Sequence, residues 1–196
     1  MQKIIFFNGP PRCGKDTAAI YTMNSFSEPK LGLNGMIKFE RFAMPIKHAF
    51  AGMVQADCVD RFGNVEPFES TKEDVIPWLG VSYRQWQIDF SEKYMKPTYG
   101  VDIFGRLLRD RNKNHRMKAL VIPDSGFAEE VFPIVEEFGE DNILLLRIHR
   151  KGCDFSRDSR SYLHNMVKNE VDIHNDFVVE TFHHELHEIV GNFLAS

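Results

Sequence analysis

The chain has 196 residues, of which 43% are hydrophobic and 27% charged, and its formal net charge is -4 at pH 7. That length suits one domain over 1–196, and the balance excludes disordered and fibrous classes and a surface basic all over, although not a local basic groove. No apolar run approaches the roughly 20 residues of a membrane-spanning helix, and no secretory leader layout opens the chain. The three cysteines, Cys13, Cys58 and Cys153, form no CxxC pair, so reduced thiols and a cytoplasmic location are expected.

In chain order, KIIFFN (Lys3 to Asn8) is a short apolar run that suits a buried parallel strand. A glycine-rich loop follows, and KDTAAIYTMNSF has helical character until the breakers Pro29, Gly32 and Gly35. MIKFERFA, Met36 to Ala43, alternates like a second strand and precedes a helix from Pro45 to about Gln55. DCVDRFGNVEPFESTKED lacks periodicity and reads as a surface loop, 57–74, of the kind that often carries function. Helices are expected from Ser82 to about Tyr94 and from Val101 to about Arg111. MKALVIPD is a strand closed by Pro123 and Asp124, FAEEVFPIVEEF a helix, and NILLLRIHR a strand. VDIHND gives a short strand, and VVETFHHELHEIVGNFL closes the chain as an amphipathic helix. This alternation predicts an α/β fold, a three-layer sandwich whose mostly parallel five-stranded sheet carries helices on both faces.

The residues with chemistry start at Gly9-x4-Gly14-Lys15, which has Walker A spacing between a strand and a helix. Backbone N–H groups there form an anion seat, and Lys15 reaches outer phosphates as a point charge. The motif asks for a hydroxyl after the lysine, where this chain has Asp16 and then Thr17. A carboxylate is a hard oxygen ligand suited to Mg²⁺, and an acid in a first helical turn is also favoured by the dipole; both readings stay open. Asp124 stands where a Walker B acid would, at a strand edge where ligands bind. It suits a metal shell or a proton acceptor, and a turn residue bonded to backbone N–H groups is its plainer reading.

Arg147, Arg150, Lys151, Arg157 and Arg160 follow the fourth strand as arginines able to clamp phosphate. The second basic cluster, Arg106 to Lys118, reads mostly as a solvated helix face. HHELH fails the HExxH spacing of a zinc protease, so His183 and His187 are expected on the surface of the last helix.

Five pieces in the same order, FNGPPRCGKDT, FAMPIKHAF, SYRQWQIDF with YGVDIF, LVIPD and VDIHND, resemble the bacteriophage deoxynucleoside monophosphate kinases, a branch of the P-loop nucleotide kinases. In that family GKDT similarly replaces GKS or GKT. The resemblance implies a P-loop NTPase fold, ATP and Mg²⁺ as cofactors, and transfer of the ATP γ-phosphate to a deoxynucleoside monophosphate. It implies that Gly9, Pro10, Arg12, Cys13, Gly14, Lys15, Asp16, Thr17 and Arg150 hold ATP, and that Asp16, Thr17 and Asp124 hold the metal. Lys15, Asp124, Arg157 and Arg160 would be catalytic. Lys47, Arg84, Gln87 and Phe90 would face the acceptor within a region of about 40–112, under a lid-like segment of about 149–162.

The family follows its strand-end acid with a polar run containing a basic residue, whereas this chain has Ser125-Gly126-Phe127. Related phage kinases phosphorylate 5-hydroxymethyluracil within DNA; Phe90, Tyr94, Tyr99 and Arg106 would suit such a partner. A nucleotide-binding regulator without transfer is a third reading, but DSGF and NKNH fail the DxxG and NKxD marks of GTPase switches. Host-cell cytoplasm, no membrane partner and an open question of homodimerisation complete the expectations.

Overall fold

The computed structural model describes residues 1–27, 36–55, 60, 64–156, 158–175 and 178–196; Pro29, Gly32, Gly35, Cys58, Arg157, Asp176 and part of the 57–74 loop lie outside the described residues. Five parallel strands form one sheet in the order β2-β3-β1-β4-β5: β1 Lys3–Asn8, β2 Ile37–Phe39, β3 Ala119–Ser125, β4 Ile143–His149 and β5 Asn169–His174. The pleat of β1 sorts its side chains to opposite faces. Ile5 and Phe7 pack with α1 (Lys15–Phe26) and α7 (Val179–Ala195), while Ile4 and Phe6 pack with α2 (Met44–Met53), α5 (Ile103–Asn112) and α6 (Ala128–Phe138). All four are fully buried, and each contributes about 1.5–3 kcal/mol. Helices therefore cover both faces, as the alternating sequence pattern predicts. Along α7, Phe182, Leu186, Val190 and Phe193 recur at helical spacing and form its buried stripe.

Boundaries differ from the sequence reading where side chains intervene. The second strand ends at Phe39 rather than Ala43, because the N–H groups of Phe42 and Ala43 turn away to the Asp124 carboxylate. The helix from Ser82 runs longer than expected. Ser82 Oγ caps it by accepting from Gln85 N at 3.1 Å, and α3 (Tyr83–Asp89) continues through a π-helical stretch, Phe90–Met95, into α4 (Lys96–Tyr99). Gly100, with φ at 101°, ends it. The described part of the irregular loop also has a small core of its own, in which Val65, Phe68 and Ile76 pack on Phe50 and Tyr83.

Helices α5 and α6 meet at Gly105, where a Cβ would overlap the backbone carbonyl of Glu130. Only glycine allows that approach.

Arg147 is not a phosphate clamp. It is buried between β4 and β5, donating from Nε and Nη2 to Asp172 at 2.9 and 2.8 Å, and from Nη1 to Glu170 at 2.5 Å and Leu163 O at 3.0 Å. Those hydrogen bonds hold the Asp172 carboxyl far below the usual carboxylate range. A depressed folded value means stability present above the unfolded value of about 3.9 and lost as pH falls below it. Asp172 is about half exposed, so solvent discounts the pair. Arg147→Met is expected to cost about 2 kcal/mol at pH 7, a melting shift of roughly 4–8 °C. The gap should narrow in melts at pH 3, and a gap that stays constant would show that the ion pairs contribute nothing.

Candidate active site

The loop between β1 and α1 sits where the chain order reverses about β1, the place in an open parallel sheet where ligands bind. Its glycines are forced. A Cβ on Gly9 would lie 2.7 Å from both the Ile148 carbonyl oxygen and Cys13 Sγ. Gly14 has φ at 105°, and the Asn175 amide nitrogen stands 2.6 Å from where its Cβ would be. Asn175 also donates to Cys13 O at 2.9 Å, which ties the loop to the end of β5. No side chain caps α1, so its first N–H groups face the loop as an anion seat. Lys15 is buried and donates from Nζ to Pro10 O at 2.8 Å, closing the loop on itself; burial pulls its pKa down.

A cleft of about 1010 Å³ opens beside this loop. Among the described residues it is lined by seven basic side chains, Arg12, Lys15, Arg41, Lys47, Lys72, Arg84 and Arg160, and by seven acids, Asp16, Glu69, Glu73, Asp74, Asp124, Asp154 and Asp158. Most are matched in pairs. Asp16 stands in the first turn of α1 and accepts from Arg41 at 2.5 Å; although burial by itself raises it, the Arg41 charge holds it below the usual range. Lys47 meets Glu69 at 2.5 Å, Arg84 meets Glu73 at 2.6 Å, and Arg160 grips Asp158 through two nitrogens at 2.8 and 2.5 Å.

Asp124 bridges the cleft wall to α2. Its Oδ1 accepts from Phe42 N and its Oδ2 from Ala43 N, both at 3.0 Å, which is the plainer reading of a strand-end acid. Each oxygen keeps a further lone pair, and the residue lines the cleft, so ligand contact stays open to it.

The segment after β4 folds over the same end. Arg150 Nη1 donates to Arg12 O at 3.2 Å, and the Asn8 amide donates to Ser125 O and Ser161 O at 3.1 and 3.0 Å while accepting from Leu163 N at 2.9 Å. Arg160 crosses Gly126 so closely that a Cβ there would fall 2.6 Å from the arginine's own Cβ. Gly126 thus leaves room for the Arg160 side chain beside Asp124 in the cleft.

Other expected site residues separate. Gln87 lines the cleft, and its side-chain amide faces the Tyr83 hydroxyl. Thr17 is exposed and outside the cleft lining. Phe90 stacks between Trp86 and Tyr94, with centroids 5.1 and 5.5 Å away, and is not among the residues that line this cleft. Arg106 pairs with Asp102 at 3.0 Å. His183 and His187 stack on Tyr21 and Phe26 of α1, which accounts for them without metal. Arg41, Glu69, Lys72, Glu73 and Asp158 were missed. Arg41 directly precedes FAMPIK, but the sequence reading places it inside the second strand; its cleft position follows from the strand ending at Phe39.

Among the described residues no cluster of three or more metal-ligating side chains occurs, and no helix is long and apolar enough to cross a membrane. No protein-family model matches the chain, and no curated protein matches it.

Proposed function

We propose that the protein is a P-loop phosphotransferase that moves the γ-phosphate of ATP to a nucleotide. One observation carries this reading: the buried Lys15 and the uncapped start of α1 open onto the same cleft as Asp124, Arg41 and Arg160, at the reversal point of a parallel sheet. In a binder without transfer, cations on the far side of the phosphate seat would have no task.

Phosphates entering the loop take the α1 N–H groups, and Lys15 leaves Pro10 O for an outer phosphate oxygen. Arg41 and Arg160 exchange their carboxylate partners for phosphate oxygens, which neutralises charge as the bond to the ADP oxygen breaks and the bond to the acceptor oxygen forms. Asp16 and Asp124, two hard carboxylates on one cleft, fit the one or two that Mg²⁺ ordinarily takes beside phosphates. When bound, that ion would supply positive charge that polarises the phosphate groups. The segment carrying Arg150 and Arg160 screens the site from water.

Asp124 distinguishes two acceptors by elementary acidity. A phosphate acceptor arrives ionised and needs no base, but a hydroxymethyl group must lose a proton. Asp124→Asn is therefore expected to slow transfer to a nucleotide about 10-fold, through looser positioning of Phe42 and Ala43. A hydroxymethyl acceptor would suffer about 10²–10⁴-fold, the usual contribution of a general base.

The deciding experiment offers γ-labelled ATP and Mg²⁺ with each nucleoside monophosphate, and in parallel with DNA containing 5-hydroxymethyluracil. Label in a free diphosphate is the expected result. Label in DNA alone would move the acceptor to the polymer, and no transfer to either, with ATP still bound, would overturn the proposal.

A further inference from the structure

A second cavity, about 240 Å³, adjoins the main cleft and shares Ala43, Arg84, Gln87, Asp124, Asp158 and Arg160 with it. Phe42, Ile46, Ile88, Phe104 and Phe127 give it an apolar wall, and besides the shared residues it is lined by Ser91, Glu92, Glu130 and Ser159. A flat-walled slot with a few convergent polar groups is the form a small aromatic ligand requires. Glu130 is 4% exposed, and its position is fixed by the close approach of its backbone to Gly105.

We infer that this side pocket receives the nucleobase of the phosphate acceptor, and that Glu130 offers the ring edge a hydrogen-bond donor and an acceptor side by side. The inference rests on the phosphotransferase reading and adds the chemistry of acceptor recognition. An undissociated carboxyl presents O–H next to C=O. That pair matches N3–H and O4 of uracil or thymine, N3 and the N4 amine of cytosine, and N1 and the N6 amine of adenine. Gln87 and Ser91, whose hydroxyl donates to Glu92 Oε1 at 3.0 Å, also line the pocket. A ring seated here leaves the rest of the acceptor at the mouth, beside Asp124 and Arg160.

Burial and the neighbouring acids outweigh the cations that face Glu130. Burial pushes it up to about 8; Lys96 and Arg160 oppose this, and Asp124 and Glu92 add to it. Among the described residues Lys96 is the one cation within 4 Å, at 3.7 Å, but it stands 2.8 Å from Glu92 and 3.8 Å over the Phe127 ring. The nearer Glu92 claims the ammonium, which explains why an ion pair does not hold Glu130 charged. The folded value is raised, so the proton is present below about pH 8 and lost above it. Above that, a carboxylate would meet the base edge with acceptors only.

The test is the KM for acceptor and for ATP between pH 7 and 9 in the wild type, Glu130→Gln and Glu130→Ala, with calorimetric titration of the acceptor alone. The acceptor KM of the wild type should rise about tenfold by pH 9 while the ATP KM stays flat. Glu130→Gln, whose amide keeps one donor and one acceptor, should hold the acceptor KM within a few-fold at pH 7 and abolish the pH dependence. Glu130→Ala should weaken the acceptor at least tenfold at every pH. A flat wild-type profile, or a glutamine variant as weak as alanine at pH 7, would overturn the inference. A merely structural acid would move kcat and both KM values together. The same profile measured on DNA would assign the pocket to a base within the polymer, and on a free nucleotide to a monomer. Failure of transfer with every acceptor would instead count against the function itself, so the two failures are separable.

Discussion

Lys15→Ala is expected to reduce phosphoryl transfer by about three orders of magnitude while leaving the melting temperature within a few degrees. The kinetic figure follows from removing one preorganised charge aimed at the transferring group, which typically costs about 10²–10³-fold, from a site where burial strengthens its field. The structural figure follows from what Lys15 does in the fold. Its ammonium holds the single carbonyl of Pro10, and burial disfavours its charge, so its removal relieves a desolvated cation while it frees one acceptor. Circular dichroism melts beside labelled-phosphate assays check both halves. Transfer surviving within tenfold of wild type would remove Lys15 from the chemistry and with it the reading of the loop.

Gly105→Val should produce the largest loss of stability from a single methyl-bearing change. The glycine lies on α5 against the Glu130 carbonyl of α6, so a side chain there cannot be absorbed by a rotamer and the helices must part. Overpacking of this kind costs about 3 kcal/mol, read as a fall of roughly 6–12 °C in a thermal melt. The acceptor KM should rise as well, because Glu130 travels with its backbone, whereas the ATP KM should not. A stable Gly105→Val protein would mean that α5 and α6 slide freely, and Glu130 would then not be a fixed reader of anything.

The frame of the fold was legible because its signals are local. KIIFFN, ALVIP and NILLLRIH are apolar runs too short for helices, and each is a strand in a sheet covered on both faces. The two glycines of the loop after β1 also have a physical reason, since a Cβ on Gly9 would meet the Ile148 carbonyl and Gly14 has φ at 105°. What escaped reading depended on distant partners. Nothing in MIKFERFA says that a carboxylate 82 residues later will take the Phe42 N–H and cut the strand short. Arg147 and Arg160 belong to one basic stretch and look alike in sequence, yet two acids on β5 bury the first while a missing side chain at Gly126 admits the second to the cleft. Glu130 looked like any exposed acid in the first turn of a helix, and only the contact with Gly105 carries it inward.

The seven basic and seven acidic side chains around the cleft set how quickly a ligand is captured. An enclosure that contains its own counter-ions projects little net field into solvent, so a polyanion arrives by unaided diffusion rather than by long-range steering. Its capture rate then changes little between dilute buffer and physiological salt, because there is no distant attraction for ions to screen. On the proposed function, discrimination is deferred to the moment of contact, when a phosphate oxygen must displace a carboxylate already paired with its cation.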